Sequence, residues 1–329
     1  MPNIADFVHD LGGMAQKRQL VRRGARDRDL TLAVRDGSVV RARNGWYSTL
    51  PEEAPALRAV RVGGRLTGMS ALIELGAWAL GDFPLHVSVH DNAARLRNQW
   101  NRHSRINVDD PRGVVLHWDD RSVRNFGTST SVGLLDALER AILDEPFETA
   151  VAVLDWALHT GVLDRFDFET LILRLPIERR GIADWVDATC ESLPESLSRT
   201  RLRLAGWRVE SQVRLGEVQR IDLVVEDVAA IEVDGDEHHR ERFEQDRSKD
   251  IDITIDNLHA LRPSARAVFY DWDRVARAIS AALAARGVTL ENSGGRRSHP
   301  RNARGISGWQ RRRRRKIPEF PKRRREWRE

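Results

Sequence analysis

The chain has 329 residues, of which 31% are charged and 41% hydrophobic, and its formal net charge is +5. This length exceeds what one hydrophobic core usually supports, so we expect two or three domains. The single cysteine, Cys190, excludes an internal disulfide framework. No window approaches the roughly 18 apolar residues of a membrane span, and no basic-then-apolar segment opens the chain. We therefore expect a soluble protein of the cytoplasm that has no membrane partner.

The first 50 residues predict a winged helix-turn-helix domain, with three helices followed by a β-hairpin. The predicted elements are, in chain order, helices at 4–11, 16–23 and 25–36 and strands at 38–43 and 46–48. Gly37 is a typical helix stop. Asn44-Gly45 is a strong signal for a hairpin turn. A fold of this kind places one helix in the major groove of DNA and contacts the flanking phosphates.

Arginines cluster where a winged helix would meet double-stranded DNA. They lie on the second and third predicted helices and in the hairpin: Arg22, Arg23, Arg26, Arg28, Arg35, Arg41 and Arg43. The alternative is a winged helix that contacts protein, which Asp27 and Asp29 on the third helix favour slightly. The stretch from residue 12 to residue 47 resembles the N-terminal domain of AbiEi-type antitoxins. This resemblance implies a winged helix of a toxin–antitoxin regulator, and it adds a toxin protein to the candidate partners.

Residues 51–187 predict an α+β region that either links the domains on its two sides or serves as an interaction domain. It carries no catalytic motif. The predicted elements are helices at 66–76, 131–144 and 146–160 and strands at 84–90 and 113–118. His86 and His90 lie on one side of a predicted strand, but no third ligand of suitable spacing follows them. We therefore favour a structural histidine pair over a metal site. This region is also the candidate interface of a homodimer.

Carboxylates interrupt two short apolar runs that follow, at 219–225 and 229–234. The runs are joined by a polar turn and predict adjacent strands. Side chains alternate along a strand, so Glu232 and Asp234 point the same way, and Asp222 on the neighbouring strand can join them. Three carboxylates in a small volume repel one another unless divalent cations lie between them. The pattern therefore predicts a Mg²⁺ site, which Mn²⁺ could also occupy.

The order of these motifs resembles the endonucleases related to very-short-patch repair, a branch of the restriction-endonuclease-like superfamily. The matching segments are an opening helix at 191–199, the strand with Asp222, the Glu-x-Asp-Gly strand with His238 three residues after Gly235, a charged helix at 243–250 and a last strand at 258–262. The resemblance covers about 100 residues, roughly 188 to 287. It implies a restriction-endonuclease-like α/β domain at 188–288. Asp234 stands where many nucleases of the superfamily have Lys.

The candidate catalytic residues are Glu195, Asp222, Glu232, Asp234 and His238. We expect Asp222 and Glu232 to bind the metal directly. The resemblance adds Glu195 as a further or water-mediated ligand, and Asp234 is a candidate ligand or base. His238 is suited to protonating the leaving 3′ oxygen or orienting a water. Lys249 is a candidate replacement for the missing Lys, and the candidate phosphate-binding residues are Arg220, Arg247 and Arg262.

The end of the chain is a basic tail. Residues 292–329 carry 15 Lys or Arg and three Glu, a net charge of +12 against +5 for the whole chain. Blocks of like charge among Gly, Ser and Pro predict a disordered segment over 289–329. Its phosphate attraction would be non-specific and salt-dependent. The alternative is a solvated tail with no specific role.

Two functional classes follow from these observations. The first is a Mg²⁺-dependent DNA endonuclease that a winged helix directs to DNA, with a role in defence, repair or mobile-element biology. The second is a DNA-binding antitoxin or transcriptional regulator whose nuclease-like domain is degenerate. The whole chain is predicted to be of α/β class, with the winged helix first, the α+β region in the middle and the nuclease-like domain before the tail.

Overall fold

A computed structural model describes residues 3–107, 113–119, 126–216, 219–234 and 243–290, with the backbone alone over 243–246. This part of the chain is a mixed α/β structure with three β-sheets. No helix in it is long and apolar enough to cross a membrane. The predicted catalytic residue His238 and the tail from residue 291 onward lie outside the described residues.

The N-terminal part has three helices and a three-stranded antiparallel sheet of order β1-β3-β2. Its elements are α1 (Ile4–Asp10), β1 (Met14–Gln16), α2 (Lys17–Arg22), α3 (Asp27–Arg35), β2 (Val40–Arg43) and β3 (Trp46–Ser48). The three predicted helices and the hairpin are confirmed with small shifts at their ends. β1 was not predicted, because three residues show no periodicity and the strand is defined by its pairing with β3. α3 starts at Asp27 and not at residue 25, since Asp29 accepts a hydrogen bond from the Arg26 N–H (3.0 Å) and so caps the helix start.

Both sides of this small sheet are packed. On one side, Leu20, Leu30 and Tyr47 belong to a core shared by the three helices. On the other side, Met14 and Ala42 pack against the next helix of the chain, to which they are joined in one buried cluster. The N-terminal sheet therefore has no face free for solvent, and its second face is continuous with the middle of the protein.

The middle part is built around the sheet β4-β5-β6. Its elements are α4 (Pro55–Val62), β4 (Arg65–Leu66), α5 (Gly68–Glu74), β5 (Leu85–His90), β6 (Val114–Asp119), α6 (Leu134–Asp144), α7 (Phe147–His159), α8 (Arg165–Arg174) and a 3₁₀ helix at Arg180–Trp185. β4 is antiparallel to β5, whereas β6 runs parallel to β5 with Ser88 opposite His117. The helix predicted from residue 66 begins at Gly68 because Leu66 pairs with Val87 in the sheet.

The C-terminal part has a four-stranded sheet of order β10-β9-β8-β7. Its elements are α9 (Leu193–Ala205), β7 (Val209–Leu215), β8 (Gln219–Val225), β9 (Ala229–Ile231), α10 (Phe243–Ile255), β10 (His259–Leu261), α11 (Ala265–Tyr270) and α12 (Trp272–Ala285). Helices cover both faces: Ile279 of α12 packs with Leu223, and Ile253 of α10 packs with Val224. This double burial explains why β8 is an apolar run, and it makes Asp222 an exception within that strand.

A buried polar network holds α9 against α7, across the predicted domain boundary at residue 187. Arg199 donates from Nη2 to Asp155 Oδ2 (2.7 Å) and from Nη1 to the Trp185 carbonyl (2.6 Å). Ser196 Oγ and the Asp187 N–H also donate to the Asp155 carboxylate. Asp155 and Arg199 are 0% and 2% exposed. The middle and C-terminal parts therefore share an ion pair that is sealed from solvent.

Candidate active site

Asp222 and Glu232 are linked to each other through the backbone. The Val233 N–H donates to Asp222 Oδ2 (2.9 Å), and the Asp222 N–H donates to Glu232 Oε1 (3.3 Å). The antiparallel pairing of β8 with β9, in which Leu223 faces Ile231, brings the two residues together. The predicted neighbourhood of these two carboxylates on adjacent chain segments is therefore confirmed.

The strand that was predicted to run to residue 234 ends earlier, at Ile231. Beyond that point the backbone still bonds to β10 and to the residues just after it: the Glu232 N–H donates to Leu261 O (2.9 Å) and the Asp234 N–H to Pro263 O (3.1 Å). Glu232 and Asp234 thus lie just past β9, and Asp234 forms an isolated parallel bridge with Ser264. That their side chains point the same way stays a prediction.

Glu195 lies in the first turn of α9 and closes that end of the helix. Ser192 Oγ donates to Glu195 Oε1 (2.6 Å), while the Glu191 N–H (3.0 Å) and Gln212 Nε2 (3.2 Å) donate to Oε2. A carboxylate in this position also meets the positive end of the helix dipole. Gln212 was not predicted as a neighbour of Glu195, because it lies on β7, a strand that the sequence pattern did not indicate. Glu195 therefore serves helix capping in addition to any catalytic role.

Three of these carboxyl groups are disfavoured as anions by their surroundings. Burial raises the pKa of Glu195, Asp222 and Glu232 above the ordinary values. The negative charge of Asp222 further raises the pKa of both glutamates. Buried carboxylates of this kind gain most from a positive partner placed among them.

Cationic side chains supply part of that compensation. Lys249 of α10 forms an ion pair with Glu232 through Nζ and Oε2, and its side chain is 18% exposed. Arg262 donates from Nε to Asp250 Oδ1 (2.7 Å), and its Nη1 lies 3.4 Å from Asp234 Oδ1. The predicted phosphate-binding residue Arg262 is thus engaged with two carboxylates. Lys249 lies against Glu232, and its role as a replacement for the missing Lys stays a prediction.

The carboxylates are neighbours but not a closed coordination shell. In the described ranges, no three of Glu195, Asp222, Glu232 and Asp234 place oxygen atoms within 4.8 Å of one another. Binding of one cation by Glu195, Asp222 and Glu232 would therefore need side-chain movement. The ion pair between Lys249 Nζ and Glu232 Oε2 would also have to loosen, so that the carboxylate could reach the cation.

The arginines predicted to bind DNA fall into two groups. Those on α2 and α3 and beside them are exposed: Arg22, Arg23, Arg26, Arg28 and Arg35. Arg43 of β2 differs, because its guanidinium donates to the carbonyls of Val62 (2.7 Å) and Arg95 (3.2 Å) and burial lowers its pKa. Arg43 therefore ties the hairpin to the middle part. In the same hairpin, Arg41 Nη2 donates to Asn44 Oδ1 (2.6 Å).

Arg220 and Arg247, the other two predicted phosphate-binding residues, are both exposed, on β8 and α10 respectively.

Neither the comparison with protein families nor the comparison with curated proteins gives a match to this chain. The functional argument therefore rests on the residues themselves.

Proposed function

We propose that the chain is a Mg²⁺-dependent DNA endonuclease. The observation that carries this proposal is the pair of half-buried Asp222 and buried Glu232, two carboxylates on adjacent segments with a lysine ammonium against one of them. Phosphodiester hydrolysis needs an activated water, neutralisation of the transition-state charge and a stabilised leaving oxygen, and Mg²⁺ contributes to all three. Hard oxygen donors such as these carboxylates suit Mg²⁺ and also Mn²⁺.

In this proposal the chain's own residues have separate roles. Asp222 and Glu232 hold the cation, and Glu195 contacts it directly or through a water. Lys249 of α10, released in part from Glu232, lends positive charge to the scissile phosphate in place of the Lys that stands at the position of Asp234 in many nucleases of the superfamily. The C-terminal part would then be a restriction-endonuclease-like domain, which its mixed sheet of order β10-β9-β8-β7 between α10 and α12 supports.

The proposal also assigns DNA binding to the N-terminal part, as a winged helix. Support comes from its three helices, its small antiparallel sheet and the exposed arginines on and beside α2 and α3. Arg26 and Arg28 lie at the start of α3, where their charges add to the positive end of the helix. Duplex DNA is the partner that fits this arrangement.

A second function is favoured by a specific observation, namely that the candidate site is already internally compensated. Lys249 pairs with Glu232, and Ser192, Gln212 and the Glu191 N–H satisfy Glu195. A site of this kind does not require a cation for stability. It would suit a DNA-binding antitoxin or transcriptional regulator in which the nuclease-like domain only binds.

Plasmid cleavage separates the two functions. Full-length protein is incubated with supercoiled plasmid and Mg²⁺ or Mn²⁺, beside Asp222→Asn and the control Asp256→Asn, which alters an exposed carboxylate just after α10. We expect the parent and the control to cut at equal rates. Asp222→Asn should cut about 10³-fold more slowly and bind DNA equally well, because a lost cation ligand costs catalysis several kcal/mol.

Cleavage that persists unchanged in Asp222→Asn would contradict the site. A parent protein that binds duplex DNA but cuts with neither metal would instead support the regulator.

A further inference from the structure

A second cluster of ligand-type side chains lies in the middle part, away from the carboxylates described above. His86 on β5 and His117 on β6 project from the same face of the parallel pair. Their rings stack with centroids 5.2 Å apart, and His117 Nε2 lies 3.2 Å from His86 Nδ1. Both residues are almost fully buried, at 4% and 7% exposure. His86 thus has His117 as its partner, and not His90, with which the sequence had suggested a pair.

Two carboxylates at the end of α6 face this histidine pair. Asp144 Oδ2 lies 3.6 Å from His117 Nδ1, and Glu145 Oε1 lies 3.7 Å from His86 Nε2. His86, His117 and Asp144 each offer a ligand atom such that the three atoms lie within 4.8 Å of one another. Among the described residues, His86, His117 and Asp144 are the group of His, Cys, Asp or Glu side chains with three ligand atoms this close together.

Arg140 of α6 is a cationic neighbour of the cluster: it lies 3.4 Å from Asp119 and 3.9 Å from Asp144. Burial lowers the pKa of His86 to about 4 and that of His117 to about 3, with the charge of Arg140 adding to both effects. Both rings are therefore neutral at neutral pH, and each keeps a lone pair for a metal.

We propose that His86, His117 and Asp144 bind one zinc-class divalent cation, with Glu145 as a fourth or outer-shell carboxylate. Two imidazole nitrogens with carboxylate oxygen form a donor set that suits Zn²⁺, whereas Mg²⁺ prefers oxygen alone. The ligand atoms of His86, His117 and Asp144 lie within 4.8 Å of one another, so small side-chain rotations would bring them to the separation of about 3.4 Å between ligand atoms of a tetrahedral zinc ion. Glu145, which lies against His86 Nε2, matches the outer-shell carboxylate that orients a metal-bound histidine.

The bound cation would fasten the end of α6 to the sheet, and Arg140 would keep Asp119 as its partner while Asp144 turns to the metal. The site is independent of the proposed endonuclease function, because it shares no residue with Asp222 or Glu232. The competing explanation is a hydrogen bond between two neutral imidazoles, with no metal.

Zinc titration of the full-length, chelator-stripped protein distinguishes these explanations. Bound Zn²⁺ and the melting temperature are measured for the parent, His117→Gln, Asp144→Asn and Glu145→Gln. The matched control is His90→Gln, on the same face of β5 but 37% exposed and outside the cluster. Other histidines of the chain can bind zinc weakly, so the difference between variants is the measurement.

We expect the parent and His90→Gln to bind one tight equivalent and to gain thermal stability with Zn²⁺. His117→Gln should lose that equivalent, and Asp144→Asn should weaken it at least tenfold. Glu145→Gln should weaken it about 10- to 100-fold, as outer-shell changes do. Because Asp144 is 27% exposed, its variant should fold even where a change at buried His117 does not. Equal zinc affinity in the parent and Asp144→Asn, or no tight equivalent in the parent, would overturn the proposal.

Discussion

Replacing Arg199 with methionine tests how firmly α9, which carries Glu195, is held against α7. The change removes two charge-assisted hydrogen bonds, to Asp155 and to the Trp185 carbonyl. Each such bond contributes about 1.5–3 kcal/mol. The change also leaves the Asp155 carboxylate buried without its counter-charge. Breaking a buried ion pair from one side costs about 3–5 kcal/mol, and we expect a loss in that range.

Urea unfolding followed by tryptophan fluorescence measures this loss, with Arg165→Met as the control. Arg165 also pairs with a carboxylate, Glu169 at 3.2 Å, but its side chain is 93% exposed. Its removal should change the free energy of unfolding by less than about 0.5 kcal/mol. The double variant Asp155→Leu/Arg199→Met should recover part of the lost stability, because no unpaired charge remains buried. A loss below about 1 kcal/mol in Arg199→Met would refute the reasoning.

Three further predictions concern other parts of the chain. Lys249→Met should lower stability by about 1–3 kcal/mol in metal-free buffer, since Glu232 then stays buried without its positive partner. Thermal melts should show Mg²⁺ restoring most of the loss, and no effect of Mg²⁺ would contradict a cation site there. Charge reversal of Arg26 and Arg28 should weaken binding to duplex DNA and reduce the slope of log affinity against log salt concentration, both measured by gel shift. An unchanged slope would favour a role of this part in protein contacts. Burial raises the pKa of the Cys190 thiol to about 12, so iodoacetamide at pH 8.5 should label it only after unfolding, where the ordinary thiol pKa of about 8.5 applies. Rapid labelling of the folded protein would be inconsistent with a buried thiol.

Local patterns explain which elements could be predicted. Helices such as α6 and α7 show apolar periodicity, and the turn at Asn44-Gly45 marks its hairpin by residue type. β1 and β4 have only three and two residues, too few for a periodic pattern. They are strands because of the strands with which they pair. β9 likewise depends on a distant partner: the Glu232 N–H just past it donates to Leu261 O, 29 positions along the chain.

The candidate site was predictable in part. Carboxylates that interrupt apolar strands indicated Asp222 and Glu232, and their contact follows from a short antiparallel connection. His117 gave no comparable signal as a partner for His86. Parallel strands pair through long crossovers, so the register of β5 with β6 cannot be obtained from local sequence. The ion pair of Asp155 and Arg199 could not be predicted from local sequence either, because the two residues come from different predicted domains.

The contacts of the hairpin bear on where the proposed endonuclease would cut. Arg43 fastens β2 to the carbonyls of Val62 and Arg95, and Met14 packs under α4 with Leu57. The winged-helix candidate is thus built into the body of the protein and is not suspended from a flexible hinge. For an endonuclease of this construction, the span from α3 to the carboxylates would act as a ruler. Cuts would then fall a constant number of base pairs from the bound sequence, and a tethered reader would scatter them.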